Sequence, residues 1–295
     1  METQQRTHAA DLCGMAALGY PVILYGTRVL LTLLLQTRVK GATLENPLCL
    51  TEAQTIFLQM IPGLLALAVP GIVVALVGRL GPQQMRWCKA PAGAVWRWMP
   101  FFLGVVTVAE LLGGLLAKLL RLPQAHTMLP QSGVGLILCY VSVCLLPAIG
   151  EELFFRGVLQ GLLRPMGRTA SIWGTAVLFS LLHGSLPQCI AALAAGLVLG
   201  LCAQATGSLV PVILLHLTHN SIAFAGLWLE QYDLGGVFHF GLMVLLPLWG
   251  LFSLHRLPRR RRRPGAGPML PQSAGYRLAA AGLAVLCGVR SLGLM

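Results

Sequence analysis

The sequence repeats one feature along most of its length: apolar stretches of roughly 20 residues, separated by short polar or basic segments. A helix needs about 20 mostly apolar residues to cross the hydrocarbon core of a bilayer. Crossing segments are helical here because backbone groups have no water to bond there. We therefore predict an all-α, polytopic membrane protein, with about eight transmembrane helices around an intramembrane polar cavity.

The predicted spans are followed by polar or basic connections. In chain order they cover residues 14–35, 55–77, 98–119, 133–163, 171–183, 187–205, 209–229 and 236–254. Composition supports this assignment, because only 10% of the residues are charged against about 25% in a typical soluble domain. That deficit leaves too little polar surface for a water-soluble globule.

The net charge of +12 comes from basic residues clustered between the apolar stretches. They gather in residues 79–97, in residues 164–168 and in the block Arg259–Arg263. Basic loops mark the cytoplasmic side of membrane proteins, so we expect these segments, together with both termini, in the cytoplasm. The pattern predicts contact with the lipid bilayer of an inner or plasma membrane, and no nucleic-acid partner.

The chain divides into three predicted regions. Residues 1–132 hold about three N-terminal transmembrane segments, residues 133–256 form a second membrane domain, and residues 257–295 form a basic linker and a C-terminal tail. Residues 258–275 are rich in Pro, Gly and Arg and are typical of a linker. The apolar tail 279–295 is short, so an interfacial helix and a disordered end are both open.

Three of the nine acidic residues lie inside apolar segments: Glu110, Glu151 and Glu152. A charge at that depth costs a few kcal/mol on insertion scales, so such groups pair, face a watery cavity or act in function. Glu152 and Arg156 are four residues apart and share a helix face. Glu151 points about 100° away and has no basic partner at the next turn, so its carboxylate stays available. Glu110 is expected to pair elsewhere.

Strong polar groups also lie in two later apolar segments. His183 ends one of them, and His216 and Asn220 share a face of another, with His219 on the same general side. A single buried His or Asn in a membrane helix often joins two helices by a hydrogen bond. Polar groups on three successive segments favour a polar site inside the bilayer.

These residues resemble the motifs of the CAAX-protease and bacteriocin-processing family of intramembrane peptidases. The family pattern is EExxxR, then FxxxH, then HxxxN or HxxxD. The sequence supplies, in this order, Glu151-Glu152 with Arg156, Phe179 with His183, and His216 with Asn220. The resemblance covers roughly residues 133–229 and implies an endopeptidase that cleaves membrane-associated substrates, such as lipidated proteins or C-terminal tails.

The resemblance implies a role for each matched residue. Glu151 would be the general base that activates water, and His183 would help to hold that water. His216 and Asn220 would stabilise the oxyanion of the tetrahedral intermediate. The partner implied is a peptide or a membrane-protein substrate.

The resemblance also gives Glu152 and Arg156 a supporting role, as a pair that braces the helix. Whether a metal takes part is open, since the family is described both as metallopeptidases and as glutamate peptidases. Glu151, His183 and His216 are the candidate ligands for a Zn²⁺ ion, although the sequence contains no HExxH motif.

Two other functions are compatible with parts of the pattern. A non-catalytic immunity or scaffold protein would keep the fold and bind another membrane protein, although all the expected catalytic groups are present. A transporter with a buried proton-binding carboxylate would favour inverted repeats, and the sequence shows none. A serine or aspartyl intramembrane protease is disfavoured, because the chain lacks GxSG and has no aspartate pair within its apolar segments.

Overall fold

The computed structural model describes residues 2–123, 129–257 and 270–292, and the described chain is helical with no strand. Its helices are α1 (Glu2–Gln36), α2 (Glu52–Val77), α3 (Ala94–Leu119), α4 (Gly133–Leu162), α5 (Arg168–Leu182), α6 (Leu186–Thr206), α7 (Val210–Glu230), α8 (Gly235–Ser253) and α9 (Ala274–Ser291). Short 3₁₀ turns cover Arg164–Met166 and Leu254–Arg256. The predicted all-α class is confirmed.

Seven of the described helices, α1 to α4 and α6 to α8, are long and apolar enough to cross a membrane. The fifth predicted span, residues 171–183, is the 15-residue helix α5. At 1.5 Å per residue it is roughly 22 Å long, less than the roughly 30 Å of a bilayer core. The protein is therefore an integral membrane protein with seven candidate spans instead of eight.

The outer surface of the bundle is apolar, as expected for a protein that has lipid as its solvent. Large hydrophobic side chains such as Val22, Leu76, Leu119 and Phe252 are more than two-thirds exposed. In water such a surface would be an aggregation hazard. The spans differ in how much they bury: α3 buries twelve of its residues, whereas α8 buries three, Gly235, Gly250 and Ser253.

Helix α3 lies at the centre of the packing and contacts α6, α7 and α8. The contact with α8 is close because glycines meet. A Cβ atom added at Gly104 would lie 2.8 Å from the Leu246 carbonyl oxygen and 3.0 Å from the Gly250 Cα. Small residues allow such close approach between membrane helices, and here they bring the polar face of α3 against the later helices.

The connections of the bundle form two ends. Residues 78–93, 163–167 and 207–209 meet at one end, which we call the basic face. There the Arg164 guanidinium donates to the Gln83 carbonyl over 3.3 Å, and the Ser208 hydroxyl donates to the Cys88 carbonyl over 2.7 Å. Residues 37–51, 129–132 and 183–185 lie at the other end, the opposite face.

Buried Arg86 fastens the basic face to the rest of the bundle. It is 1% exposed and donates to the backbone carbonyl of Arg156 in α4. Its own carbonyl accepts the Leu209 amide over 3.3 Å. Burial, with Arg164 and Arg156 nearby, lowers the pKa of the Arg86 guanidinium to about 10, so the group is still cationic at neutral pH.

Of the two alternatives left open for the tail, the structure gives a helix, α9, which packs along α1 and α5. It begins near the Asp11 carboxylate, which accepts the Gly275 amide over 2.9 Å. It ends at the opposite face, where the Ser291 hydroxyl accepts the Leu186 amide over 2.7 Å. The described chain therefore ends away from the basic face, unlike the expectation that both termini share it. The Arg259–Arg263 block and most of the predicted linker lie outside the described residues.

Candidate active site

Helix α4 is irregular around the two adjacent glutamates. Pro147 has no amide hydrogen and cannot bond to the carbonyl of Val143, four residues before it. The chain forms a π turn over Val141–Leu145 instead, and a second π turn over Leu153–Leu159 follows the glutamates. Such π turns occur frequently at functional sites.

Asn220 in α7 compensates for this interruption. Its side-chain amide donates to the Val143 carbonyl, at a donor–acceptor distance of 3.5 Å. The thiol of Cys144 donates in turn to the Asn220 carbonyl over 3.4 Å. Asn220, predicted as an oxyanion donor, therefore also joins α7 to the weakened part of α4, and its second amide hydrogen stays available for a substrate.

Glu152 is the centre of a buried polar cluster. Its side chain is fully buried, and its Oε1 atom accepts from Arg156 Nη1 over 2.8 Å and bonds to His216 Nδ1 over 2.9 Å. The predicted contact between Glu152 and Arg156 is present. The contact with His216 is long-range and joins α4 to α7.

This contact defines the state of the His216 ring. A carboxylate held by an arginine accepts hydrogen bonds, so Nδ1 of His216 carries a proton, and Nε2 presents a lone pair when the ring is neutral. The Nε2 atom lies 3.9 Å from Oε2 of Glu151. That distance is too long for a direct hydrogen bond, and polar atoms at such a separation can be joined by a bridging water molecule.

Glu151 differs from its neighbour in its surroundings. Its side chain is 21% exposed and lines a cavity of about 130 Å³, which Tyr20 of α1, Gln59 of α2 and Ser142 of α4 also line. Its Oε2 atom has no hydrogen-bond partner among the described residues. The carboxylate that the sequence left available is therefore unbound in the structure as well.

His183, His216 and Asn220 line a larger cavity of about 310 Å³, between α3, α6 and α7. The structure therefore brings the histidines and the asparagine of the motifs together in one space. Glu151 is not part of the lining of this cavity. His216, whose Nε2 atom is 3.9 Å from Glu151 Oε2, lines the larger cavity but not the smaller one.

Phe179, the first residue of FxxxH, orients the polar groups around it. Its ring lies edge-on to His183 at 4.6 Å and to His216 at 6.1 Å, measured between ring centroids. The Arg156 guanidinium lies over the same ring, 4.4 Å from its centroid, a favourable cation–π distance. Phe179 was matched to a motif in the sequence analysis, which predicted no role for it.

His183 lies just beyond the last turn of α5. Its Nδ1 atom is 2.7 Å from the Phe179 carbonyl oxygen. Because a carbonyl only accepts, Nδ1 carries a proton here, which leaves Nε2 as the acceptor atom of a neutral ring. A neutral His183 can thus accept a hydrogen bond from water, which is the role predicted for it.

The site also contains two polar side chains whose contact with each other the sequence did not predict. Glu110 of α3 and His219 of α7 meet with 3.4 Å between Oε1 and Nε2. Both residues line the 310 Å³ cavity and a neighbouring cavity of about 260 Å³. The sequence indicated Glu110 because it is an isolated carboxylate in an apolar span. Its partner His219 lies far along the chain, so no sequence spacing could indicate the contact.

The candidate metal ligands do not assemble into a metal site. The described residues contain no group of three His, Cys, Asp or Glu side chains placed to hold a metal ion. Glu151 and His216 approach each other, but His183 lies with the other cavity. A zinc ion on Glu151, His183 and His216 stays a prediction from the resemblance, and no chemical step below depends on it.

Comparison with known proteins gives one match, and its range coincides with the motif region. No curated protein and no solved structure matches the chain. Residues 133–222, which hold all three motifs, match the family model of the type II CAAX prenyl endopeptidase Rce1-like proteins. The resemblance to the CAAX-protease and bacteriocin-processing family is therefore confirmed over this part of the chain.

Proposed function

We propose that this protein is an intramembrane endopeptidase that cleaves peptide bonds with a water molecule activated by Glu151. The family match implies a peptidase in general terms. The observation that carries the finer proposal is the 3.9 Å gap between Glu151 Oε2 and His216 Nε2. With Glu151 ionised and the His216 ring neutral, both atoms accept hydrogen bonds, so they are suited to hold the two hydrogens of one water molecule.

In the proposed reaction, Glu151 removes a proton from this water and the resulting hydroxide attacks the scissile carbonyl carbon. The carbonyl oxygen becomes an oxyanion, for which Asn220 offers its second amide hydrogen. When the carbon–nitrogen bond breaks, the proton held by Glu151 moves to the leaving amine. His216 holds the water in position, and Glu152 with Arg156 fixes the tautomer and orientation of His216.

The substrate approaches from the 310 Å³ cavity in this proposal. His183 and Asn220 line that cavity, with apolar walls from Phe102 and Ala195. The proposed substrates are peptides or membrane-protein segments. Helix α3 lies outside the catalytic unit proposed from the sequence, residues 133–256, but it forms one wall of this cavity. In this proposal the N-terminal segments therefore take part in substrate binding.

The experiment that tests this proposal maps protein termini in membranes from cells that carry the wild type or Glu151→Gln at matched levels. We expect precursors to accumulate with Glu151→Gln, because loss of a general base costs about 10²- to 10⁴-fold in rate. Glu230→Gln makes the same chemical change at an exposed position at the end of α7. Cells with this variant should give the same set of protein termini as cells with the wild type.

Identical termini in the wild type and Glu151→Gln would contradict the proposed base. If the variant also rescued a cellular phenotype of the deletion, a non-catalytic scaffold or immunity function would be favoured instead. Correct insertion of both variants is the control, measured by their monodisperse elution in detergent.

We further propose that the basic face lies in the cytoplasm, in accord with the positive-inside rule. Two exposed cysteines test this orientation, because Cys88 lies at the basic face and Cys49 precedes α2 at the opposite face. A membrane-impermeant maleimide added to intact cells should label Cys49 and spare Cys88, with Cys49→Ser and Cys88→Ser as controls. Labelling of Cys88 alone would reverse the orientation.

A further inference from the structure

Glu110 is the one carboxylate among the residues that line the 310 Å³ cavity. It lies inside the span α3, and its side chain is 46% exposed. The residue also lines the neighbouring 260 Å³ cavity, so it lies where the two spaces meet. The family motifs do not include this position, and the proposed reaction does not use it.

The charge around Glu110 is not balanced by a fixed cation. No lysine or arginine is among the residues that line either cavity. The contact with His219 is 3.4 Å long, whereas charge-assisted hydrogen bonds are usually about 2.7–2.9 Å. Glu152, by comparison, is bound to Arg156 over 2.8 Å. Glu110 therefore keeps acceptor capacity for a group that enters the cavity.

The position of Glu110 relates it to the proposed reaction. Its partner His219 is adjacent to Asn220 and three residues from His216 on α7, which corresponds to about one helical turn, or about 5 Å. An extended peptide advances about 3.3–3.6 Å per residue. A substrate side chain that reaches Glu110 thus belongs to a residue within about two positions of the scissile bond.

We propose that Glu110, oriented by His219, binds a lysine or arginine side chain of the substrate next to the scissile bond. This inference rests on the proposed peptidase function and adds a substrate class to it. A carboxylate is costly at membrane depth, and a cationic ligand compensates that cost by a charge-assisted hydrogen bond. Gln188 of α6, which lines the same cavity, offers an additional acceptor for the ammonium or guanidinium group.

The test compares cleavage profiles on a peptide library prepared from a digested proteome, with mass spectrometry of the new termini. The purified proteins are the wild type, Glu110→Gln, Glu110→Lys and Glu151→Gln. We expect wild-type sites to be enriched in Lys or Arg within two residues of the cut. Glu110→Gln should cleave those sites about ten- to a hundredfold more slowly, the range expected for loss of a hydrogen bond between charged groups. Glu110→Lys should favour Asp or Glu at the same position.

The controls separate the two proposals. Glu230→Lys reverses a charge at an exposed site and should keep the wild-type profile. If the wild type makes no termini beyond those of Glu151→Gln, the peptidase proposal fails and this inference falls with it. If the wild type cleaves but Glu110→Gln and Glu110→Lys keep its sequence preference, the peptidase stands and the basic subsite is overturned.

Discussion

Among the described residues of the membrane interior, two carboxylate–histidine contacts are shorter than 3.5 Å, and they differ in their surroundings. Glu152 and His216 are 2.9 Å apart in a buried cluster, with Arg156 on the same carboxylate oxygen. Glu110 and His219 are 3.4 Å apart at the wall of two cavities, and the Glu110 side chain is 46% exposed. In the first contact His216 lines the 310 Å³ cavity and Glu152 does not, whereas both residues of the second contact line both cavities.

The difference shows that chemical identity alone does not assign a role to a membrane-embedded glutamate. The cluster around Glu152 joins three helices, since Arg156 also donates to the Gly196 carbonyl of α6 over 3.4 Å. Its members can move little without breaking that junction. The contact at Glu110 joins α3 and α7 alone and leaves the carboxylate reachable, which suits ligand binding better than bracing.

The largest expected effect on stability is at Arg156. Arg156→Ala leaves the Glu152 charge buried without its cation, and breaking a buried ion pair in this way costs about 3–5 kcal/mol. We expect that loss in the free energy of unfolding, measured by reversible denaturation in mixed micelles. The variant also loses the guanidinium stacked on Phe179, which adds to the cost.

Arg97→Ala provides the matched control for this measurement. Arg97 is exposed near the start of α3, and an exposed substitution usually changes the free energy of unfolding by no more than about 0.5 kcal/mol. Equal free energies for Arg156→Ala and Arg97→Ala would contradict a bracing cluster, and the contrast with Glu110 would then disappear.

The sequence predicted the local part of this arrangement. The pairing of Glu152 with Arg156 follows from a spacing of four residues on a helix, and the apolar stretches predicted the seven long spans because each has enough apolar residues to cross a bilayer. Both results depend on residues close together in the chain. The motif order placed His183, His216 and Asn220 in one site, and they line one cavity.

The sequence did not predict contacts between residues that are far apart in the chain. The partners of Glu152 and Glu110 on α7 lie 64 and 109 residues away along the chain, so no local spacing indicates them. The sequence left the tail open between an interfacial helix and a disordered end, because two arginines and several small residues lower the hydropathy of α9. Its packing against α1 and α5 favours the helix.

The smallest expected effect concerns the open contact. We predict that Glu110→Gln, His219→Gln and their combination give a coupling energy of about 0–1 kcal/mol, the range of exposed ion pairs. The same cycle with Glu152→Gln and His216→Gln should give more, because contacting groups in one buried network couple by about 0.5–3 kcal/mol. Both cycles use the free energy of unfolding in mixed micelles. A coupling energy at Glu110 as large as that at Glu152 would show that the Glu110–His219 contact also braces the fold. A carboxylate that contributes so much to folding is already bound by the protein, and it would have little affinity left for a substrate cation.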